Sequence, residues 1–286
     1  MPITHQLLAL FVTLIWGTNF VFIDIGLAQL PPFVFASLRF ALVALPLVFF
    51  LPRPKVPWRY LVAYGVLIGF GQFGLLFWVM QSHMSPGLAS LVIQVQAVFT
   101  IVLALLFFKE KVNLAQVVAL VVSFAGILLI AMQGHVDASL IGLAVILVAA
   151  ISWAVGNLVV KQCGKVEIIA FLAWSSLFAV PPLALMSYYY EGPALIISSV
   201  SMATWQAWAI VLWQTLGNTL IGYGLWNFLL QRHSAALVAP WALLVPVFGM
   251  AASSVFLGES MPWWKFVAAV LIIAGLLINL RASKLS

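Results

Sequence analysis

Apolar residues run on along this chain for about twenty positions at a time, broken only by short polar punctuation. A helix rising 1.5 Å per residue needs roughly 20 mostly apolar residues to cross the hydrocarbon of a bilayer. Ten runs meet that length: 6–27, 33–51, 59–80, 87–108, 113–131, 139–160, 168–188, 206–231, 235–257 and 262–280. Helix-ending residues separate them, among them Pro31-Pro32, the Pro52 to Pro57 stretch, Ser85-Pro86, Gln133-Gly134 and Gly192-Pro193. Segments of about ten alternating residues are missing, which excludes a membrane β-barrel. The longest connection, around 189–205, is too short to form a domain. The pattern predicts an all-α integral membrane protein with ten transmembrane helices.

Composition agrees. Of 286 residues 65% are hydrophobic and 6% charged, whereas a soluble domain is about a quarter charged. A soluble globule, a disordered chain and a nucleic-acid binder are excluded. The single cysteine, Cys163, excludes an internal disulfide and a multi-cysteine metal site. The first apolar run lacks a small-residue cleavage signature, so it reads as a span and not as a removable leader.

Charge sets the orientation. With the N-terminus inside, ten of the twelve basic residues fall on cytoplasmic segments: Arg53, Lys55, Arg59, Lys109, Lys111, Lys161, Lys165, Arg232, Arg281 and Lys284. Lys265 alone falls on the other side, and Arg39 lies within a span. This asymmetry predicts that both termini are cytoplasmic. It also accounts for the net charge of +6 without an anionic polymer as partner.

The chain repeats itself. An offset of 149 aligns 85–131 with 234–280 through pairs such as Ser85/Ser234, Phe99/Phe248, Glu110/Glu259, Ala119/Ala268 and Gly126/Gly275. Just upstream an offset of 150 pairs Gly74/Gly224, Gln81/Gln231 and His83/His233. This divides the chain into 1–134 and 135–286, with five expected spans each. An odd number per half would invert the second half relative to the first, the arrangement that underlies alternating access around a central site.

Trp16-Gly17-Thr18-Asn19-Phe20, Leu38-Arg39-Phe40 and Gly87-Leu88-Ala89-Ser90-Leu91 resemble the EamA family of the drug/metabolite transporter superfamily. So do Phe107-Phe108-Lys109-Glu110 and the segment from Val245-Pro246-Val247-Phe248 to Leu257-Gly258-Glu259. The resemblance covers essentially the whole chain. Within the family, Arg53-Pro54-Lys55-Val56-Pro57, Gln94-Val95-Gln96-Ala97, Gly222-Tyr223-Gly224-Leu225-Trp226 and Leu243-Leu244-Val245-Pro246 look most like exporters of O-acetylserine and cysteine. The resemblance implies a bacterial inner-membrane transporter of small metabolites. Asp24 departs from it, because the family often carries Lys there.

Polar groups are costly in hydrocarbon, so those inside spans face the protein interior or a watery cavity. Trp16 and Asn19 share one face of the first span, and Trp153 and Asn157 one face of the sixth. An aromatic ring and an amide on each suit a small zwitterion. Gln72 belongs to the third span. Gln94 and Gln96 point about 200° apart on a straight helix; Gln96, which shares a face with Thr100, is the expected cavity residue. The eighth span has two polar stripes, Gln214–Asn218 and Thr219–Tyr223–Asn227, with Trp226 beside the second. Only one stripe is expected to face a cavity. Asp24 and Arg39 lie at similar depth on consecutive helices, which fits either a structural ion pair or a division of labour. In the second case Arg39 attracts a carboxylate while Asp24 gates or takes a proton. Gly65 and Gly69 read as a close-packing face, and the histidines as solvated loop residues.

No Walker loop is present, so ATP does not drive the protein. Prenyl-transfer, zinc-protease and serine-hydrolase motifs are also missing, which argues against an enzyme. The expected function is secondary export of a small amino-acid-like zwitterion, with protons as a partner if transport is coupled. An exporter of organic cations or an uncoupled facilitator remains open; the former lacks an acid between Leu7 and Ile23. No cofactor is expected, and a monomer suffices.

Overall fold

In a computed structural model the protein is described over residues 1–84, 86–109, 112–133, 139–257 and 262–282. Ser85, Glu110, Lys111, Gly134, Gly258, Glu259 and Lys284, invoked above, lie outside the described residues, as does His135 among the histidines. The described chain is helical: α1 Ile3–Leu27, α2 Pro32–Leu47, α3 Trp58–Ser82, α4 Ala89–Phe108, α5 Leu114–Gln133, α6 Leu140–Cys163, α7 Ile168–Glu191, α8 Pro193–Met202, α9 Trp205–Leu230, α10 Ala235–Phe256 and α11 Trp263–Ala282.

The expectation of ten transmembrane helices in two inverted five-helix repeats is corrected. Among the described residues six helices are long and apolar enough to cross a membrane: α1, α3, α4, α6, α7 and α10. The number rises to seven if α8 and α9 count as one span, but they meet at a 101° bend. Pro32–Leu47 and the apolar stretches 114–126 and 266–282 are shorter. Hydropathy runs overstate spans because they continue through turns: α2 stops at Leu47, one residue after Pro46, although the apolar run extends to Leu51.

Glycines set several helix contacts. A side chain at Gly65 or Gly69 of α3 would run into Ser175 or Ala179 of α7, and one at Gly17 of α1 into Phe248 and Val245 of α10. Gly65 and Gly69 thus form the close-packing face their spacing predicts. Helices α5 and α11 pack on each other, with Gly126 against the Ala268 carbonyl and Gly275 against that of Ala119. Glu191 ends α7 and caps α2 from across the bundle: its carboxylate accepts from Phe33 N (2.6 Å) and Val34 N (3.1 Å) and from Ser187 Oγ (2.7 Å). Those amides have no partner inside their own helix, so the cap satisfies them where Pro31 and Pro32 cannot.

Two ten-residue stretches depart from α-helical hydrogen bonding. Gly65–Gly74 in α3 and Gln214–Tyr223 in α9 are π-helical. Helix α4 is also broken, with turns at Ile93 and Gln94, and α10 contains a 3₁₀ segment, Ala239–Leu244, that includes Pro240. These irregular stretches surround the site.

Candidate functional site

A pocket of about 410 Å³, counted to its open mouth, lies between α1, α3, α4, α6, α9 and α10. From α1 come Trp16, Asn19, Phe20 and Ile23, and from α3 Gln72, Phe73 and Leu76. Helix α4 gives Ile93, Gln94 and Gln96, while Trp153, Asn218, Tyr223 and Val245 complete the wall. Seven residues expected from sequence therefore line one space: Trp16, Asn19, Gln72, Gln96, Trp153, Asn218 and Tyr223.

The expectation that only one stripe of the 206–231 span faces a cavity is corrected. In an α-helix, residues five apart lie about 140° apart. Across Gln214–Tyr223 the i→i+5 pattern brings such residues onto one face, and Asn218 and Tyr223 both reach the pocket. The hydroxyl of Thr219 donates to the Gln214 carbonyl five residues back (2.8 Å), a local mark of that winding. The break at Ile93-Gln94 likewise removes the 200° separation of Gln94 and Gln96, so both line the pocket. Gln94 is fixed by donating Nε2 to the Ser90 carbonyl (3.0 Å).

Two polar systems support the walls. In the first, Gln214 Nε2 donates to Asn19 Oδ1 (2.9 Å), while Gln214 Oε1 accepts from Asn218 Nδ2 (2.8 Å) and Asn19 Nδ2 (3.4 Å). Gln214 is thus a hub joining α1 to α9. In the second, Trp226 Nε1 donates to Asn157 Oδ1 (3.2 Å) and Asn157 Nδ2 to Thr100 Oγ1 (3.3 Å). Trp226 and Asn157 lie behind the lining, with Trp226 against Trp16 (5.0 Å between ring centres) and Trp153 (5.4 Å). Trp16 also meets Tyr223 at 4.9 Å. Such pairs contribute about 0.5–1.5 kcal/mol each beyond their buried area. Gly222 lets this cluster form, because a β-carbon there would stand 2.7 Å from Trp16 Nε1.

Arg39 and Asp24 do not pair. Asp24 is exposed, whereas Arg39 is wholly buried and donates Nε to Thr219 Oγ1 at 2.7 Å. Its guanidinium carbon lies 3.7 Å from the centre of the Phe73 ring and 6.0 Å from that of Tyr223. Nη1 and Nη2 have no hydrogen-bond partner. Similar depth along two helices does not fix the direction in which each side chain points, and here the two diverge.

Two histidines are also better held than solvated loop residues. His5 Nδ1 and His233 Nε2 are 2.7 Å apart, and Lys161 Nζ donates to the His233 carbonyl (3.2 Å). Burial, then the nearby His5, the N-terminus, Arg232 and Lys161, push the His233 pKa below the ordinary imidazole value. Sequence reasoning also missed Phe73 and Gln94, whose roles depend on the π-helix and the helix break. Among the described residues no group of three or more His, Cys, Asp or Glu could hold a metal.

These features belong to a membrane carrier with a small central pocket. The EamA-like transporter family matches residues 4–132 and 140–281, and the chain belongs to that family. It is 40% identical over 95% of its length to a probable amino-acid metabolite efflux pump of Salmonella typhimurium, covering 93% of that protein. It is 38% identical, with the same two coverages, to the Escherichia coli protein of the same description. A probable terminal-alkyne amino-acid exporter of Streptantibioticus cattleyicolor is 28% identical over 98% of this chain and 95% of its own. A solved crystal structure, 18% identical, shares the fold at a TM-score of 0.79 over 100% of both chains. The protein is therefore a multi-pass, lipid-embedded small-molecule transporter. The relatives' names speak of amino-acid metabolites in general, so the narrower likeness to O-acetylserine and cysteine exporters does not follow from them.

Proposed function

We propose that the chain exports a small amino-acid-like zwitterion, of the cysteine and O-acetylserine class, across a bacterial inner membrane. The observation that carries this reading is the pocket lining: amides and aromatic faces, with no carboxylate, histidine or lysine among the described lining residues. Unpartnered amide oxygens of Gln94, Gln96 and Asn218 suit the N–H donors of an ammonium, and Trp16 and Tyr223 offer faces for a cation or an apolar side chain. Trp16, Asn19, Gln72, Gln96, Trp153, Asn218 and Tyr223 contact the substrate in this reading; Asn157 and Trp226 hold the wall and Arg39 serves a carboxylate. Asp24, exposed, stays outside the binding step and acts at most on entry. The relatives described as amino-acid exporters support the substrate class. The two family matches support a division into residues 1–134 and 135–286, and the basic residues support cytoplasmic termini.

Proteoliposomes containing purified protein are given labelled cysteine, O-acetylserine and a panel of other amino acids, with and without a pH gradient. Saturable uptake of one of them, lost in Asn19→Ala or Trp153→Ala, is expected. No uptake of any amino acid by folded protein overturns the substrate class, and a response to the gradient decides between coupled and uncoupled transport.

A further inference from the structure

We propose that Phe73 decides whether a substrate carboxylate reaches Arg39, so that ring and guanidinium together form the acid-selective end of the pocket. This rests on the amino-acid reading above and names the residue that would set its selectivity. A guanidinium is always charged and presents its donors in a planar fork that matches a carboxylate. Buried charges are kept where something pairs with them. Arg39 is wholly buried, yet Nη1 and Nη2 have no partner and Asp24 is exposed. Thr219 holds Nε, which leaves the two terminal nitrogens for a bidentate contact. The missing anion is therefore a visitor.

Its route passes Phe73. Phe73 and Tyr223 line the pocket, and Arg39 does not; the guanidinium carbon lies 3.7 Å from the Phe73 ring centre, against 6.0 Å for Tyr223. With the ring in place the charge is held by the π-face, a contact weaker than a bidentate ionic pair. A carboxylate entering from the amide-lined side gains that pair only by displacing the ring. A ligand too weak to displace it leaves Arg39 covered, so the ring acts as a selector.

Proteoliposomes carrying labelled O-acetylserine test this by competition between alanine and alaninamide, which keeps the amine and loses the carboxylate. Alaninamide is expected to inhibit wild-type protein about tenfold less, the order of a lost charge-assisted pair. Arg39→Gln should make the two inhibit alike, and Arg39→Lys should restore part of the difference. Phe73→Ala, with Arg39 left open, should become sensitive to propionate, whereas wild-type protein should not respond to it. Wild-type transport inhibited equally by both compounds overturns the inference and leaves the amino-acid reading standing. So does a Phe73→Ala protein that stays blind to propionate. Chloride shares the anion chemistry; competition by chloride in wild-type protein as strong as alanine's also overturns it. If Arg39→Gln does not fold, as read by size-exclusion chromatography, the wild-type comparison and Phe73→Ala decide. Wild-type protein that moves no amino acid removes the substrate reading itself, which is a different result.

Discussion

The two ten-residue π-helical stretches use one backbone device for opposite ends. Gly65–Gly74 carries four glycines and one polar side chain, Gln72. Its glycines bring it against α7 and α6, where side chains at 65, 69 and 71 would strike Ser175, Ala179 and Ser152. Gln214–Tyr223 instead buries Gln214, Thr215, Asn218 and Thr219 and ties α1 and α2 to α9 by hydrogen bonds. Yet both deliver an aromatic residue to the same place: Phe73 and Tyr223 meet at 5.7 Å, edge to face, beside Arg39. They stand 150 residues apart, the offset that also pairs Gly74 with Gly224. Widening a helix brings one more residue per turn to the pocket. The glycine-rich stretch uses that freedom for close packing, and the polar stretch for a hydrogen-bonded surface.

This contrast predicts different failures. The largest is steric. In Gly69→Leu the added side chain overlaps Ala179 at its first carbon, so α3 and α7 must separate rather than repack. Overpacking ordinarily costs about 1–3 kcal/mol, and a backbone contact sits at the upper end. Low yield and a lower apparent melting temperature in detergent are expected, with the acid-over-amide preference of surviving transporters unchanged. A stable Gly69→Leu protein would remove the packing role assigned to the first stretch.

Gln214→Leu strikes the polar stretch. It removes the acceptor shared by Asn19 and Asn218 and the donor to Asn19 Oδ1. Orphaned buried groups cost about 1–3 kcal/mol each. Transport should fall by about tenfold or more, a factor worth roughly 1.4 kcal/mol, because Asn19 and Asn218 lose their orientation in the pocket. Asn218→Ala leaves Gln214 bonded to Asn19 and should lower transport with little change in melting temperature. Equal loss of stability in both variants would mean that the stretch is structural, like its counterpart.

A smaller effect belongs to Gly222→Ala. The added methyl would press on Trp16 Nε1 at 2.7 Å, and an indole edge can give way where a backbone cannot. Tryptophan fluorescence should shift as the cluster of Trp16, Trp153 and Trp226 rearranges, and the KM for the substrate should rise several-fold with near-normal stability.

Much of this was legible in the sequence, and the rest failed for identifiable reasons. Trp16, Asn19 and Trp153 stand on regular helix, where spacing gives direction, and their inward faces follow from it. Gln94 and the joint arrival of Asn218 and Tyr223 do not follow, because a break at Ile93-Gln94 and an i→i+5 winding change which residues share a face. The first carries no Gly or Pro to mark it. The spans were overcounted because apolar composition continues through a turn, as it does from Leu47, where α2 ends, to Leu51. Depth alone allows an Asp24–Arg39 pair but says nothing of azimuth: Asp24 is exposed, and Ile25 beside it is itself 39% exposed.

The finest test is Tyr223→Phe, because it removes one atom at the junction of the two stretches. The hydroxyl donates to Gln72 Oε1 at 3.3 Å, a hydrogen bond that joins the two stretches. The ring contacts with Trp16 and Phe73 do not depend on it. A typical intramolecular hydrogen bond contributes about 0.5–1.5 kcal/mol net, and this one is long, so a loss near the lower figure is expected. If the two stretches meet to shape the pocket, KM should rise about two- to threefold while the maximal rate holds, since 0.5 kcal/mol is about that factor. A Gln72→Leu variant should lose more, because its amide also faces the substrate, and the double variant should fall short of the sum, because both remove the same bond. Fully additive losses would mean that the bond couples nothing, and that the two widened helices share a pocket without sharing a joint.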